Sequence, residues 1–324
     1  MTIINKLFIY IPTYNRPNAL ANQLTSLMPQ VLHHADRVRL LICDNDSSGP
    51  QYGELVDKYR DADNIVFRKN AGNIGANANI ALGFIFVEEG EFLWILSDND
   101  IVSADAVGYI LSQLDDQIDF YCFNDAVTEP TVVDHDWKNG WDAPMEWRMG
   151  LISDGLYNAK TIRTSAEDAF YYHNSSFPHL AVGCSAAKKK GVVKFKLLPR
   201  NEINNSIHSS TECPTDYSLA HVCMPLLVPL FPRQEAKAFC LKWLRNHGVY
   251  LYRNRTRHYH LYLQSRATLA YYGGLTGKLL LFWMWLTYLI ASPLIDVRQK
   301  IIGLAKKHFS SSTIEKLKKI RNKL

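Results

Sequence analysis

Apolar runs and polar clusters alternate along the N-terminal third of the chain. Lys6–Ile11 (KLFIYI) reads as a buried strand ended by Pro12. Asn18–Val31 has helical spacing, with Leu20, Leu24, Leu27 and Met28 on one face, and Pro17 suits a helix start. Val38–Cys43 (VRLLIC) predicts a second strand and Ile65–Arg68 a short third. Asn77–Glu88 has the period of a helix, with Ile80, Phe84 and Val87 as its buried stripe. Phe92–Leu96 (FLWIL) predicts a fourth strand and Ala104–Leu114 the helix after it. This alternation predicts an open α/β sheet with crossover helices. Ligands of such sheets bind at the carboxyl ends of the strands. Three polar clusters fall there: Thr13-Tyr14-Asn15-Arg16, Asp44-Asn45-Asp46-Ser47-Ser48 and Asp98-Asn99-Asp100.

From about Asp119 the pattern loosens into turns and aromatics, with Trp137, Trp141 and Trp147 close together. Ile152–Asn158 and Ala181–Ser185 are predicted strands, and Gln234–His247 a helix. The expected division is an α/β half at 1–118, a looser second half at 119–232 and a helical region at 233–324. The uncharged run Leu279–Ile295 falls short of the roughly 20 residues a spanning helix needs. Trp283, Trp285 and Tyr288 are residue types that favour the membrane interface. With Lys278 and Arg298 flanking it, an in-plane or re-entrant helix fits better than a single span. A helix buried against the rest of the protein is the alternative.

Composition narrows the picture modestly. Of 324 residues, 47% are hydrophobic and 21% charged, values of a packed globular protein and not of a disordered one. The net charge of +5 gathers after Asp296, at Arg298, Lys300, Lys306, Lys307, Lys316, Lys318, Lys319, Arg321 and Lys323. Such a tail suits an anionic surface, lipid or nucleic acid. The six cysteines form no C-x-x-C pair, so reduced thiols in a cytosolic protein are expected. The segment MTIINKLFIYIPTYN reads as a first strand and not as an export signal.

Asp98 and Asp100 follow an entirely apolar strand, so their carboxylates project from a rigid edge. Two such carboxylates can share Mg²⁺ or Mn²⁺ with a diphosphate, since these ions prefer oxygen ligands and retain substrate phosphates. The competing reading is a helix cap at Asp100 or Ser103. Asp44 can accept from the imide N–H of a uracil or thymine, or can simply close an Asx-turn. In Asn70–Asn77 (NAGNIGAN), Gly72 and Gly75 permit a tight turn before a helix N-terminus that favours an anion. The loop is neither a Walker loop nor a G-x-G-x-x-G fingerprint, which counts against an NTPase and a Rossmann dehydrogenase.

Taken in order, IPTYNRPNAL, CDNDSS, NAGNIGANANIALG and FLWILSDND resemble the family 2 glycosyltransferases of the GT-A fold, closely over residues 5–105. The resemblance implies a GT-A domain, a Rossmann-like open α/β/α sheet, followed by a C-terminal helical membrane-associating region. It implies that Pro12, Thr13, Tyr14, Asn15 and Arg16 border the nucleoside and that Asp44 contacts the base. Asp98 and Asp100 would then lie at ribose, diphosphate and a Mn²⁺ or Mg²⁺ ion, with Asn73, Asn77 and Asn99 completing the donor site. The segments ISDGLYN and SSFPHLAVG resemble an abequosyltransferase-like subgroup of lipopolysaccharide and O-antigen synthesis. Inverting displacement with a carboxylate base is the implied chemistry. Asp168 of Glu167-Asp168 is the candidate base, and His179 a candidate metal ligand or acceptor contact, although a lone His is more often a structural hydrogen-bonder. The resulting expectation is a hexosyl or deoxyhexosyl transferase building lipopolysaccharide, O-antigen or capsule. It would use a nucleotide-diphosphate sugar and a lipid-linked or lipopolysaccharide glycan acceptor, at the cytoplasmic face of the inner membrane, with no nucleic-acid partner. A nucleotidyltransferase, which lacks its usual basic Gly-rich first loop here, and a non-catalytic carbohydrate-binding protein are the alternatives.

Overall fold

The computed structural model describes residues 6–59, 61–139, 149–207, 222–254 and 256–308. Trp141, Trp147, Cys213 and the basic residues after 308 lie outside the described residues.

Strand β1 (Lys6–Thr13) is buried throughout its apolar length, the pattern of a parallel strand covered on both faces. It lies between β2 (Val38–Asp44) and β4 (Glu91–Ile95), parallel to each, and β3 (Ile65–Lys69) extends the sheet beyond β2. Beyond β4 the sheet continues through β8 (Gly155–Asn158), β6 (Phe120–Asn124), β9 (Val192–Pro199) and edge strand β7 (Thr131–Asp136), for eight strands in the order β3-β2-β1-β4-β8-β6-β9-β7. β8 runs antiparallel to both β4 and β6, so β4, β6 and β9 all end on the same side. A separate two-stranded ribbon pairs β5 (Asp100–Val102) with β10 (Asn204–Ile207). The sheet runs through both halves expected from sequence.

Successive side chains of a strand point to opposite faces, and β1 sorts its residues accordingly. Leu7, Ile9 and Ile11 meet α1 (Pro17–His33), whose Leu20, Leu24, Leu27, Met28 and Val31 are all buried, and α4 (Ala106–Gln113). Each such side chain contributes about 1.5–3 kcal/mol on burial. Phe8 and Tyr10 meet the opposite layer, which includes α3 (Ala76–Phe86). Val87, expected in the buried stripe of α3, falls just past its end and is only half-buried, as is Ile80. A short helix α2 (Gln51–Tyr59), with no buried residue of its own, escaped the sequence reading.

Ala181–Ser185 is not a strand. It lies within α7 (Pro178–Lys190), after two single-turn helices, α5 (Ala159–Ile162) and α6 (Asp168–Tyr171). Every residue from Pro178 to Ala187 is buried, so the segment carries no amphipathic period to distinguish helix from strand. Within Ile152–Asn158 only Gly155–Asn158 is strand, and Ile152–Asp154 forms a 3-10 turn. Trp137 is buried against His135 and Phe231.

At the C-terminal end, α8 (Arg233–Arg253) packs along α9 (Tyr259–His308), which bends at Gly274, where φ is 60° and ψ −150°. The bend brings Gly277 so close to the Leu269 carbonyl that a Cβ there would lie 2.9 Å from its oxygen. Gly248 of α8 likewise meets the Met284 side chain directly. Leu281 and Met284 are buried in this contact, while Leu279, Phe282, Trp283 and Trp285 are exposed. Over 279–286, then, one side of the helix packs on protein and the other is open. Among the described residues no helix is long and apolar enough to cross a membrane. The cysteines Cys43, Cys122, Cys184, Cys223 and Cys240 are free and buried.

Candidate functional site

The chain leaves β1 through Thr13 and turns at Asn15, whose φ of 52° is a left-handed conformation that Asn tolerates, before Pro17 starts α1. Strand β4 ends one strand over, and its continuation brings Asp98 back against this turn. The Thr13 hydroxyl donates to Asp98 Oδ2 at 2.7 Å, and Arg16 Nη1 donates to Asp98 Oδ1 at 2.9 Å. Both Asp98 oxygens are therefore engaged in a nearly closed environment, with the carboxylate 3% exposed. Burial holds the Asp98 carboxyl above its ordinary range. The Arg16 guanidinium and the Thr13 hydroxyl oppose that shift, and the neighbouring Asp100 carboxylate adds to it.

The end of β2 joins the same pocket. Asp44 accepts from the backbone N–H of Ser47 at 3.0 Å and from the Ser47 hydroxyl, which is the Asx-turn that its sequence allowed. Ser47 Oγ in turn accepts from the Asn15 N–H at 2.8 Å, and Asn15 Oδ1 accepts from the Ser48 N–H at 3.0 Å. These bonds tie the β1 and β2 loops into one wall. Tyr52 of α2 completes it: its hydroxyl accepts from the Arg16 N–H at 3.0 Å and lies 3.1 Å from Thr13 Oγ1. Tyr14 stands exposed at the rim and Pro12 is half-buried below it.

The Asn-rich loop serves chiefly as a brace. Asn45 Oδ1 accepts from Asn70 Nδ2 and the Ile74 N–H, and Asn45 Nδ2 donates to Asn73 Oδ1 at 2.8 Å. Asn73 Oδ1 also accepts from the Gly75 N–H, closing a turn that Gly75 makes with a φ of 86°. Asn73 is exposed while making these bonds, and Asn77 is half-buried in the first turn of α3.

Asp100 is buried at the start of β5, held by the pairing of that residue with Ile207 of β10. Asn99 Oδ1 accepts from the Ser97 hydroxyl at 2.6 Å. Ser97 is fixed by the 152–154 turn, a role the sequence did not assign to it: its N–H donates to Ser153 Oγ at 2.9 Å, and the Ser153 carbonyl accepts from Trp94 Nε1 at 2.8 Å. Next to Ser153, the fully buried Asp154 pairs with Arg200 at the end of β9, 3.2 Å away. Nothing in composition or period marks Tyr52, Ser153 or the Asp154–Arg200 pair, because each is recruited from a segment far along the chain.

The two residues expected to carry catalysis are placed differently. Asp168 accepts from the Ser185 hydroxyl and lies 3.9 Å from Lys189 Nζ. Both partners belong to the second half of α7, which leads through Gly191 into the start of β9 and so toward the sheet end opposite Asp98. Asp168 is thus held by α7. His179 opens α7 at the correct end but is 1% exposed. Burial lowers its pKa to about 4, partly offset by the backbone of Gly150 and Met149 beside the ring. At neutral pH it is an uncharged, buried residue beside the Met149 and Gly150 backbone.

Among the described residues no group of three His, Cys, Asp or Glu side chains is gathered for a metal ion. The donor set nevertheless fits a hard divalent cation. Two buried carboxylates near enough for Asp100 to raise the pKa of Asp98 form a pair whose repulsion a cation would relieve. Mg²⁺ commonly binds through one or two carboxylates with substrate phosphates and water supplying the remainder.

The family model described as glycosyl transferase family 2 matches residues 8–170. Abequosyltransferase RfbV of Salmonella typhimurium is 32% identical over 113 residues, covering 34% of this chain and 33% of that relative, so the match spans about a third of its length. Among solved structures, S. aureus TarS 1-349 superposes with a TM-score of 0.59 at 13% identity, covering 85% of this chain and 83% of that one. The same fragment in complex with UDP-GlcNAc gives a TM-score of 0.59 at 12% identity with the same coverage. At these identities the likeness establishes the shared fold.

Proposed function

The chain belongs to glycosyl transferase family 2, and from that membership we propose that it transfers a sugar from a nucleotide-diphosphate donor to a cell-envelope glycan. The observation that carries this reading is the contact of Thr13 and Arg16 with Asp98, beside Asp44, at the carboxyl ends of β1, β2 and β4. The bonds among these loops hold the wall in one arrangement, and such preorganisation reduces the cost of binding. The nucleoside lies against Pro12–Arg16 and Asp44, with the Asx-turn of Asp44 opening to let the carboxylate accept from the base. Asn73, Asn77 and Asn99 line the donor site from the neighbouring loops. The likeness to an abequosyltransferase favours a deoxyhexose donor and a lipopolysaccharide or O-antigen acceptor.

Asp100 and Asp98 would hold Mn²⁺ or Mg²⁺. When bound, the ion offsets the charge that develops on the leaving nucleoside diphosphate. Arg16 and Thr13 engage both Asp98 oxygens, so a cation would share that carboxylate with them and draw on Asp100 beside it. Transfer is inverting: the acceptor oxygen bonds to the anomeric carbon as the bond from that carbon to the phosphate oxygen breaks. The acceptor proton passes to a carboxylate, a role for which the contacts of Asp168 and the burial of His179 offer no support. His179 instead positions the Met149–Asp154 segment behind Ser97.

The open apolar face of α9 and the basic residues that follow it attach the protein to the cytoplasmic face of the inner membrane, where a lipid-tethered acceptor diffuses. Removal of Leu279–Leu324 is expected to release the protein from membranes.

The test of transfer is a screen of UDP-, GDP-, CDP- and dTDP-sugars by thermal shift with and without Mn²⁺, since a ligand of the native state raises the melting temperature by mass action. One class of donor should stabilise the protein in a Mn²⁺-dependent way, and Asp100→Asn should abolish the Mn²⁺ dependence. Stabilisation by no nucleotide sugar, or an unchanged response in Asp100→Asn, defeats the reading.

A further inference from the structure

A cavity of about 380 Å³ lies between α8 and the two limbs of α9, well separated in sequence from the strand-end residues. Its walls are Tyr252 of α8, Tyr262 and Arg266 before the Gly274 bend, and Lys278, Phe282 and Trp285 after it. The bend creates the cavity, because a straight α9 would carry Arg266 and Lys278 apart along its axis (at 1.5 Å per residue, about 18 Å). The floor is rigid. The Tyr252 hydroxyl donates to the Leu281 carbonyl at 2.5 Å, and the Tyr252 and Tyr262 rings pack edge-on with centroids 5.8 Å apart.

Two features distinguish this cavity from a packing gap. Arg266 and Lys278 are exposed, and neither has a carboxylate partner among the described residues, so two positive charges face one concave space with no counter-charge. On the same limb of α9, Leu275, Leu279, Phe282 and Trp283 are 74%, 59%, 58% and 62% exposed, a run of large apolar groups open to the outside. Trp and Tyr favour the headgroup level of a bilayer, where one end of the ring meets hydrocarbon and the other meets water. A guanidinium presents a planar fork of donors matched to phosphate oxygens, and an ammonium adds a point charge.

We propose that this cavity is a binding site for the phosphate of an anionic phospholipid headgroup, seated between Arg266 and Lys278 with the acyl chains beside the exposed Phe282–Trp285 face. The charge complementarity of two uncompensated cations, set at the border of an apolar face, selects an anionic lipid over a zwitterionic one. The proposal rests on the reading of α9 as a membrane contact and adds to it a defined, headgroup-selective site.

The experiment is co-sedimentation of the full chain with vesicles of phosphatidylcholine alone and with about 30% phosphatidylglycerol. Arg266→Gln/Lys278→Gln is compared with Arg233→Gln/Lys237→Gln, which removes the same charge from the exposed first turns of α8 outside the cavity. Basic groups at an anionic surface each contribute about 1 kcal/mol, so the cavity variant should lose about 25-fold in partitioning to phosphatidylglycerol vesicles. The control variant should stay within about threefold of the wild type. Both variants should keep the wild-type far-UV spectrum and melting temperature. A millimolar excess of soluble glycerol phosphate should displace the wild type only weakly, since it lacks the acyl chains; full displacement would identify a soluble phosphate ligand and overturn the lipid assignment. Equal losses in both variants would reduce the effect to diffuse charge and also overturn it. An unchanged cavity variant on vesicles that the wild type binds overturns the site alone, whereas a wild type that binds no vesicle overturns the membrane reading with it.

Discussion

Replacing Arg16 by Gln tests the electrostatic construction of the strand-end pocket. The substitution removes the guanidinium that opposes the burial of Asp98 and leaves a 3%-exposed carboxylate with the Thr13 hydroxyl as its remaining close donor. Removing one partner of a buried ion pair costs about 3–5 kcal/mol when the site is closed. The Arg16 side chain keeps 25% of its exposure, so water screens part of the loss, and about 2–3 kcal/mol is expected at neutral pH. That is roughly a 30- to 150-fold change in the unfolding equilibrium.

The pH dependence provides the sharper test. The folded-state pKa of Asp98 is already raised, so the native state holds more protons than the unfolded state between the unfolded value, near 3.9, and the raised one. The stability contribution of Asp98 therefore falls as pH rises through that window. Arg16→Gln raises the folded pKa further and widens the window upward. The stability difference between wild type and variant should be largest at pH 7.5 and shrink as pH falls toward about 4, where a protonated Asp98 no longer needs its cation. Urea titrations of wild type, Arg16→Gln, Asp98→Asn and the double variant, each at pH 7.5 and 4.5, measure this directly. A loss that is the same at both pH values, or that persists undiminished in the Asp98→Asn background, would refute the coupling.

Three further expectations follow from neighbouring contacts. Tyr52→Phe removes a hydroxyl bonded to both Arg16 and Thr13. At about 0.5–1.5 kcal/mol per bond, or about 1–3 kcal/mol for both, it should weaken donor binding by roughly 5- to 150-fold in titration calorimetry while the chain stays folded. His179, whose pKa is lowered from 6.5 to about 4, should cost stability as pH falls from 6.5 toward 4, on the order of 3 kcal/mol in all, because only the unfolded state takes up the proton there. His179→Gln should flatten that acid limb, and an NMR titration showing the ring protonating near 6.5 in the folded protein would contradict the assignment. Gly248→Ala places a Cβ 1.9 Å from Met284 Sδ and should destabilise the α8–α9 contact by about 1–3 kcal/mol, with Met284→Ala restoring most of it; a neutral Gly248→Ala would show that the helices are not seated as described.

The local grammar of the chain was enough for the sheet's first half. Apolar runs of strand length, interrupted by Pro12, by Asp44 and by Ser97-Asp98, place the ends of β1, β2 and β4 to within a few residues, because a continuous apolar run marks a strand covered on both faces. They therefore state which polar residues stand at the carboxyl edge. The helix α1 was equally legible, since one of its faces meets water and leaves a period in the sequence. The run at Pro178–Ala187 has no wet face, and a helix buried on all sides reads as strand or helix alike. What the sequence could not supply is pairing at a distance. Asp98 meets Thr13 and Arg16 across 85 and 82 residues, and Ser97 meets Ser153 across 56. No local pattern records such partners, because they are chosen by sheet order, which depends on how whole strands compete for neighbours. The same holds for the residues expected to be catalytic: resemblance nominated Asp168 and His179, while the tertiary structure set Asp168 against Ser185 and Lys189 of α7 and buried His179 in the core.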